Sequence, residues 1–323
     1  MKAVTYTKYG PPEVLQLKEI EKPAPGDNDV LIKVHAATVS AVDCTFRQGS
    51  AFFARLFTGP LKPKKPVPGG ELAGEIVAVG KNVTQFKTGN RIFSPTMDGL
   101  GAHAEYVCLP QDSALTIMPD NMPFGEAAAV LYGFLTALPF IRDAAQIRRG
   151  QKVLINGASG GIGIFAVQLA KYFGAKVTGV CSTANTEMVK SLGADKVIDY
   201  KREDFTKNGE TYDIIFDPAG KSSFSKCKNS LSSEGIYLTA ALTFSILLQK
   251  LWTSRNSSKK AVIEFTGLRP AEEKRKDLLF FKELYEAQKI KPVIARTFPV
   301  EQIADAHRYA EQGHKHGSVV ITF

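Results

Sequence analysis

The sequence predicts an α/β protein that combines a small barrel of β-strands with a doubly wound parallel sheet. Short β-type runs broken by Gly and Pro fill the chain to about residue 123, whereas strands and helices alternate from about residue 124. The length of 323 residues also exceeds the roughly 250 to 300 residues at which a single core stops growing. We therefore expect two domains, one made of residues 1–123 and 290–323 and one of residues 124–289.

Each part shows a distinct run of elements. The first contains the strand-like runs KAVTYT, DVLIKVHAATV, ELAGEIVAVG, GNRIFS and AEYVCLP. The second opens with the helical, Ala-rich run GEAAAVLYGFLTALPFI, and the alternation that follows predicts elements at Lys152–Asn156, Ile162–Phe173, Lys176–Cys181, Thr186–Leu192, Lys196–Ile198, Ile214–Phe216 and Ile236–Ala240. The tail from Val293 returns to strand, helix and strand, and we expect it to fold back onto the first domain.

The composition is typical of a soluble globular chain, with 44% hydrophobic and 23% charged residues. No apolar run approaches the roughly 20 residues that a membrane-spanning helix needs. The longest candidate, FSILLQKLW at Phe244–Trp252, is interrupted by Gln249 and Lys250 and predicts a packed helix. The amino-terminal segment lacks the pattern of a signal peptide. We therefore expect a cytoplasmic protein without a membrane partner.

The charge and the cysteines restrict the classes of partner. The net charge is +9, but the basic residues are spread along the chain in short clusters. This distribution favours solvated faces and a phosphate-bearing cofactor over a nucleic acid partner. Cys44, Cys108, Cys181 and Cys227 never form a C-x-x-C pair, which argues against a zinc knuckle or a redox dithiol.

A glycine-rich loop follows the predicted strand KVLIN and precedes the predicted helix IFAVQLAKYFGA. Its pattern is A-x-G-x-x-G, in which Ala158 takes the first glycine position and Gly160 and Gly163 the others. Glycines in such a loop allow a tight turn, a close approach of main chain to a pyrophosphate, and close packing of helix on sheet. The alternative is a tight turn alone. The loop predicts a dinucleotide-binding site whose cofactor contacts are Ala158, Ser159, Gly160, Gly161, Ile162 and Gly163.

The strand after the loop indicates which dinucleotide binds. An NAD-specific site usually ends this strand with an acid that accepts hydrogen bonds from the adenosine ribose. Here the strand ends in Cys181 and Ser182. Small polar groups after this strand and a later one could accommodate a 2′-phosphate, namely Ser182, Thr183, Asn185, Tyr200 and Lys201. We therefore favour NADP(H) over NAD(H), with ordinary polar turn residues as the alternative.

Several longer motifs carry a family resemblance across nearly the whole chain. In order they are YGPPEVLQL, VSAVDCTFRQG, PGGELAGEIVAVGKNVTQFKTGNRI, GAHAEYV, AAAVLYGFLTAL, GASGGIG, LGADKVIDY and FDPAG. Together they resemble the medium-chain dehydrogenase/reductase superfamily, specifically its zinc-free quinone oxidoreductase-like branch. The resemblance implies a GroES-like β-barrel domain, a Rossmann nucleotide-binding domain, and a homodimer that joins sheet edges of the nucleotide domains.

The same resemblance implies that the chain has no metal site. Zinc-dependent relatives hold catalytic zinc with a Cys, a His, and a third Cys or Asp. The corresponding positions here are Ser40, Gly70 and approximately Tyr132, none of which supplies a thiolate, an imidazole or a carboxylate. Glu71 would be a lone ligand, and the lobe of four closely spaced cysteines that holds structural zinc is absent from the sequence.

Without a Lewis acid, hydride delivery from NADPH to an activated acceptor becomes the expected chemistry. The resemblance implies reduction of a small, apolar acceptor, either a quinone or an α,β-unsaturated carbonyl such as an alkenal or enone. Many quinone reductases of this branch carry tyrosines where this chain has Thr45 and Ala51, and that departure weakens the case for quinones. The alternative is an NADPH-binding redox sensor or scaffold with little turnover.

The resemblance also assigns site residues. Ser40, Thr136 and the main chain of Ala240, Ala241 and Leu242 correspond to positions that line the nicotinamide.

Other candidates surround these positions. Tyr132 could donate a proton to an enolate, with solvent as the alternative donor. Asp43 and Arg47 match the D-x-x-x-R pattern of the family and predict a supporting ion pair. Phe46 and the segment Ser50–Phe57 offer an aromatic wall for a flat acceptor or, equally, core or lid packing.

Overall fold

The computed structural model describes residues 1–50, 55, 58–96, 100–313 and 316–323. The strands are β1 (Lys2–Thr5), β2 (Gln16–Glu19), β3 (Asp29–Val39), β4 (Glu71–Val79), β5 (Arg91–Pro95), β6 (Tyr106–Pro110), β7 (Thr116–Ile117), β8 (Lys152–Asn156), β9 (Lys176–Cys181), β10 (Lys196–Asp199), β11 (Tyr212–Asp217), β12 (Leu231–Thr239), β13 (Lys260–Ile263), β14 (Ile294–Pro299) and β15 (Ser318–Thr322). The helices are α1 (Ala41–Gln48), α2 (Phe124–Leu138), α3 (Gly163–Tyr172), α4 (Thr186–Ser191), α5 (Phe224–Cys227), α6 (Phe244–Asn256), α7 (Ala271–Glu286) and α8 (Ile303–Glu311).

The chain divides into two compact units. The first unit contains Met1–Tyr132, Pro270–Glu286 and Pro292–Phe323, and the second contains Gly133–Arg269 and Ala287–Lys291.

The first unit is built around a mixed sheet of seven strands, six in one continuous order and β6 beside β3. The strand order is β14-β15-β3-β4-β5-β7, and β6 also pairs with β3. The long strand β3 accommodates two partners along one edge, because β6 pairs with residues 29–33 and β15 with residues 36–39. The tail of the chain therefore folds back onto the first unit, as predicted. Its core includes Ile32, Leu72 and Ile321, which are buried.

The second unit contains a six-stranded, fully parallel sheet. Its strand order is β10-β9-β8-β11-β12-β13, so the direction of strand progression reverses between β8 and β11. Val153, Leu154 and Ile155 of β8 are all fully buried, as expected for a central parallel strand covered on both faces. The predicted combination of a β-rich domain and a doubly wound parallel sheet is confirmed. Ligands of such sheets bind beyond the carboxyl ends of the strands at this reversal.

The units differ from the predicted domain boundaries in two places. Helix α7 belongs to the first unit, and α2 begins in the first unit and ends in the second. Phe281 of α7 packs edge-on against Phe93 of β5 with ring centroids 6.1 Å apart. The Tyr285 hydroxyl donates to Glu126 Oε2 over 3.0 Å. These contacts hold α7 in the first unit, although it follows the alternating strands in sequence.

One helical segment is more apolar than the sequence analysis allowed. Phe124–Ala144 forms 21 continuous helical residues, and an 18-residue stretch of this segment has a mean hydropathy of 1.5, enough by length and composition to cross a membrane. The expectation that no apolar stretch reaches this length was therefore wrong. The most apolar part of the segment is 72% buried inside the protein, which is typical of a core helix.

Helix α6 also differs from its prediction. The segment Phe244–Trp252 is helical, but it packs on the core through one narrow face and leaves most of its apolar side chains exposed. Only Ile246 and Thr253 of α6 are buried, whereas Phe244 is 77% exposed. Most apolar residues of α6 lie on the side of the helix that faces away from Ile246 and Thr253, the two residues that contact the core.

Candidate functional site

The glycine loop lies between β8 and α3, at the reversal of strand order in the second unit. Gly157 has a φ of 86°, which L-residues rarely adopt. A Cβ on Gly163 would lie 2.1 Å from the carbonyl oxygen of Gly157. The turn therefore requires glycine at 157, one residue before the position that the motif assigned. The helix packs closely on the loop because Gly163 has no side chain.

The loop has the features that a diphosphate needs. Among the described residues, the N–H groups of Ile162 and Gly163 at the start of α3 donate to no acceptor. Such N–H groups, together with the helix dipole, attract anions. A Cβ on Gly160 would meet a single protein atom within 4 Å, at 3.4 Å, so the space beside this residue is open. The loop residues thus fit a dinucleotide diphosphate.

Ala158 has a different environment from the other predicted contacts. Its side chain is fully buried, and its N–H donates to Val180 O over 2.9 Å. A Cβ on Gly179 of β9 would come within 3.0 Å of the Ala158 methyl group. Ala158 therefore packs the loop onto β9.

Three predicted polar residues come together beyond β8 and β9. The Asn185 amide nitrogen donates to Ser159 Oγ over 3.1 Å and to Ser182 Oγ over 3.2 Å. All three side chains are partly exposed or exposed. This group supplies hydroxyl and amide donors near the end of β9, where an acid would stand in an NAD-specific site.

Thr183 has another partner. Its hydroxyl donates to Asp199 Oδ2 over 2.5 Å, at the end of β10. The Thr183 hydroxyl and the Lys201 N–H hold the pKa of Asp199 below its ordinary value, so the carboxylate is charged at neutral pH. Tyr200 follows with an exposed side chain. Sequence reasoning missed Asp199, although it ends the third strand of the unit, in the motif LGADKVIDY.

A buried carboxylate at the end of β11 was also missed. Asp217 accepts hydrogen bonds from Asn156 Nδ2 (3.1 Å), Tyr237 Oη (3.0 Å), and the N–H groups of Lys221 (3.1 Å) and Ser222 (2.7 Å). Burial and the adjacent carboxylate raise the pKa of Tyr237, so the phenol remains a donor. Asp217 therefore joins the ends of β8, β11 and β12.

The same network continues into the predicted nicotinamide segment. The Thr239 hydroxyl donates to Asp217 O over 2.8 Å and accepts the Ala241 N–H over 3.2 Å. Gly220 approaches Ala241 so closely that a Cβ on Gly220 would lie 2.5 Å from the Ala241 Cβ. The loop after β11 and the residues Ala240–Leu242 after β12 are thus held together at the carboxyl edge of the sheet.

The first unit holds Ser40, which is mostly buried at the amino end of α1. Ser40 Oγ donates to Asp43 Oδ2 over 2.6 Å, and the Ser40 N–H donates to the same oxygen over 2.8 Å. These two residues form a capping box. Arg47 bonds instead to Glu311 in α8. The predicted ion pair between Asp43 and Arg47 was therefore wrong, because each side chain has a different partner.

Tyr132 lies near two carboxylates of the first unit. Burial, with smaller contributions from Glu71 and Asp43, raises the pKa of Tyr132 to about 12. The phenol therefore carries its proton at neutral pH. Glu71 accepts a hydrogen bond from the Thr38 hydroxyl, and the Thr38 carbonyl oxygen lies 2.8 Å from Nε2 of the fully buried His103.

The remaining predicted residues are distributed as follows. Thr136 is buried in α2, in the part of this helix that belongs to the second unit. Phe46 lies in α1. Most of the segment Ser50–Phe57, including Ala51, lies outside the described residues.

The part of the chain that the structure describes contains no cluster of metal-binding side chains. Within residues 1–50, 55, 58–96, 100–313 and 316–323, no three His, Cys, Asp or Glu side chains are arranged to hold an ion.

Comparison with known proteins extends these observations. Residues 26–120 match the alcohol dehydrogenase GroES-like domain family, and residues 192–321 match the family described as zinc-binding dehydrogenase. The quinone oxidoreductase of Homo sapiens is 32% identical over 317 residues, which cover 95% of this chain and 93% of that protein. The chloroplastic NADPH-dependent alkenal/one oxidoreductase of Arabidopsis thaliana is 31% identical over 338 residues, covering 99% of this chain and 79% of that protein.

A solved structure agrees with these relatives. The quinone oxidoreductase from Coxiella burnetii superimposes with a TM-score of 0.88 at 28% identity, covering 100% of this chain and 99% of that one. The chain therefore belongs to the medium-chain dehydrogenase/reductase superfamily, in its quinone oxidoreductase-like branch.

Proposed function

We propose that this protein is an NADPH-dependent oxidoreductase that reduces quinones or α,β-unsaturated carbonyls without zinc. The observation that carries the proposal is the glycine loop, whose main chain fits a diphosphate and whose neighbours Ser159, Ser182 and Asn185 include no acid. The acceptor class is supported by relatives named quinone oxidoreductase and alkenal/one oxidoreductase.

Each group of residues has a role in this proposal. The main chain of residues 157–163 binds the diphosphate, and Ser159, Ser182 and Asn185 bind the 2′-phosphate. The segment Ala240–Leu242 lines the nicotinamide, which supplies a hydride when the cofactor is bound. Asp217 bonds to residues beside both that segment and the glycine loop, and so fixes the position of one relative to the other.

Tyr132 is the proposed proton donor. Hydride addition to the β-carbon of an enone leaves an enolate, which takes up one proton. A phenol whose pKa is about 12 holds its proton at neutral pH and can donate it to a more basic enolate. The Ser40 hydroxyl donates its hydrogen bond to Asp43. Ser40 therefore serves as a hydrogen-bond acceptor and as the amino-terminal cap of α1.

Zinc independence rests on the chemistry of the three residues that resemble zinc-ligand positions. Ser40 donates to Asp43, Gly70 has no side chain, and Tyr132 retains its phenolic proton. A zinc site needs deprotonated thiolate, neutral imidazole or carboxylate ligands. Elemental analysis of protein purified without added metal should therefore give far less than one zinc per chain. A near-stoichiometric zinc content would contradict the proposal.

We also propose that the protein is a cytoplasmic homodimer, as the family resemblance implies. The parallel sheet has two edge strands, β10 and β13, either of which could pair with a second copy. Light scattering coupled to size exclusion should give twice the chain mass of 35.2 kDa.

An acceptor panel tests the activity. NADPH oxidation is followed with 1,4-benzoquinone, 1,2-naphthoquinone, 2-alkenals and cyclic enones, and the products are identified. We expect turnover with at least one class, and tighter binding of NADPH than of NADH. Tight NADPH binding without turnover across the panel would favour a redox sensor instead.

A further inference from the structure

Gly133 lies inside helix α2 and is buried. Glycine is a poor residue for the interior of a helix, because it loses more conformational freedom on folding than alanine does. A Cβ at this position would lie 2.2 Å from the carbonyl oxygen of Gly161, in the glycine loop. The main chain of α2 therefore approaches the loop that would bind the diphosphate, and only glycine permits this approach.

The contact joins main chain to main chain. Neither Gly133 nor Gly161 has a side chain, and the Cα hydrogen of Gly133 that takes the place of a Cβ points toward the Gly161 oxygen. Cα–H···O contacts of this kind occur where helices pack closely. The next nearest atoms to the Cβ position are Cδ2 and Cε2 of Phe165 in α3, at 2.6 and 2.8 Å. The Phe165 ring is fully buried, so it has little room to move aside.

A second contact holds α2 on the parallel sheet. Phe140, in the helical continuation of α2, stacks on Phe216 of β11 with ring centroids 4.9 Å apart. Both rings are fully buried. Phe134, next to Gly133, meets the Phe165 ring edge-on with centroids 6.1 Å apart. Because these ring contacts fix α2, a side chain added at residue 133 would displace the glycine loop more readily than the helix.

Thr136 lies between these two contacts. It is buried, and it follows Gly133 by three residues, so the two residues share one face of the helix. Phe140 follows Thr136 by four residues and extends the same face. The family resemblance assigns Thr136 to the nicotinamide, and the proposed function assigns the glycine loop to the diphosphate. The spacing of these two parts of the cofactor site therefore depends on Gly133.

We propose that Gly133 is a positioning residue for hydride transfer, because it sets the distance between the glycine loop and Thr136. This role rests on the proposed NADPH-dependent function. The diphosphate and the nicotinamide belong to one cofactor, so a shift of the loop moves the reactive ring relative to α2. A misplacement of about 1 Å can lower a rate on the order of a hundredfold.

The two glycines of α2 supply a matched pair of variants. In Gly133→Ala the added methyl group must displace Gly161. In Gly125→Ala the nearest atoms, in Ile294 and Val320, would lie at an ordinary van der Waals distance of 3.7 Å. Both changes introduce a better helix former. We expect Gly133→Ala to lower the rate of hydride transfer in single turnovers by about tenfold or more, and Gly125→Ala to leave this rate unchanged.

Two further measurements separate misalignment from a loss of stability. The isotope effect on turnover with NADPH deuterated at C4 should increase in Gly133→Ala, because hydride transfer becomes slower than the other steps. The dissociation constant for NADPH should change by less than about threefold, because the loop carries the diphosphate with it. Thermal melts show whether the variant is folded. A parental rate and isotope effect in folded Gly133→Ala would overturn the proposal and leave Gly133 with a purely structural role.

Phe165→Leu provides the test if Gly133→Ala does not fold. This variant keeps Gly133 and removes the ring atoms nearest to it, so α2 can shift over the loop. We expect hydride transfer to slow by about threefold or more, with an increased isotope effect. A parental rate in Phe165→Leu would refute the role of this contact.

The parent protein separates this role from the proposed function. If the parent reduces no acceptor of the panel, the proposed reductase activity falls, and the emission of bound NADPH becomes the test. Gly133→Ala should then change the emission maximum of the bound nicotinamide, whereas Gly125→Ala should not. Identical emission spectra in the parent and both variants would show that Gly133 does not position the cofactor.

Discussion

The Tyr237 hydroxyl donates to the buried carboxylate of Asp217 over 3.0 Å, joining the ends of two adjacent parallel strands. Three further donors converge on the same carboxylate. A carboxylate surrounded by donors is costly to alter, because a replacement leaves buried N–H groups without an acceptor.

Replacement of this carboxylate should affect both stability and cofactor binding. In Asp217→Asn, an amide NH₂ group would face donors, and we expect a loss of about 1–3 kcal/mol in the free energy of unfolding. NADPH affinity should fall as well, because Asp217 holds the loops after β8 and β11 together. Tyr237→Phe removes a single donor and should cost about 0.5–1.5 kcal/mol. Urea denaturation and NADPH titration measure both effects. Equal stability of Asp217→Asn and the parent would contradict the role of the network.

Two substitutions in the glycine loop should affect protein stability and NADPH binding differently. In Gly163→Ala the added Cβ would lie 2.1 Å from Gly157 O, so we expect marked destabilisation. In Gly160→Ala the nearest atom would lie at 3.4 Å, so the fold should persist. The methyl group that Gly160→Ala adds would instead occupy the space proposed for the diphosphate and would lower the affinity for NADPH. Gly267→Ala, with no atom within 4 Å of its Cβ, is the control and should change neither property.

Ser182 should decide which dinucleotide binds. Ser182→Asp would add a carboxylate next to Asn185 at the end of β9, where it would repel a 2′-phosphate and could accept hydrogen bonds from a ribose. We expect the ratio of NADPH to NADH affinity to fall by about tenfold or more, equivalent to roughly 1.4 kcal/mol. Ser191→Asp, at an exposed position in α4, controls for the added charge and should leave the ratio unchanged. An unaltered ratio in Ser182→Asp would place the phosphate elsewhere.

Tyr132 should matter for enones in particular. Tyr132→Phe removes the proposed proton donor, and we expect enone turnover to fall by at least about tenfold. Quinone reduction should change less, because a reduced quinone oxygen can exchange protons with solvent. Tyr172→Phe, at a half-exposed position, is the control. Full enone turnover in Tyr132→Phe would show that solvent, and not Tyr132, supplies the proton.

The raised pKa of Tyr132 also has a consequence for alkaline stability. An unfolded tyrosine loses its proton near pH 10, whereas the folded phenol does so at about 12. As the pH rises between these values, the unfolded chain releases this proton and the folded chain keeps it. The contribution of Tyr132 to stability is therefore present below about pH 10 and is lost toward pH 12. Tyr132→Phe should show a smaller decline over this interval in denaturant titrations. An identical decline would contradict the raised pKa.

Most strands of the second unit were predictable because they are apolar runs bounded by turn residues, whereas β13 (Lys260–Ile263) was not predicted. Lys152–Asn156 and Lys176–Cys181 agree with β8 and β9 to the residue. Strand β12 begins at Leu231, five residues before its predicted start at Ile236. Its early residues include exposed Ser233 and Glu234, and the pairing with β11 shifts register in this part. The first residues of β12 are polar and irregularly paired, so no apolar run in the sequence indicates where this strand begins.

Long-range contacts were beyond the reach of sequence patterns. The donors to Asp217 come from β8, from β12 and from the loop after β11, up to about 80 residues apart, and the motif FDPAG that contains this aspartate does not indicate these partners. The exposure of α6, which was predicted to be a packed helix, was misjudged for a similar reason. Apolar spacing shows that a helix has an apolar side, but it does not show what covers that side.

Strand β3, which leads directly into Ser40, is bordered by β15 from the last residues of the sequence. Arg47 of α1 forms an ion pair with Glu311 of α8, which also comes late in the sequence. On a ribosome, the amino-terminal half of this sheet therefore emerges long before its final strand. The parallel sheet of the second unit can form first, whereas Ser40 and Arg47 reach their finished arrangement only after Glu311 and β15 have been synthesised.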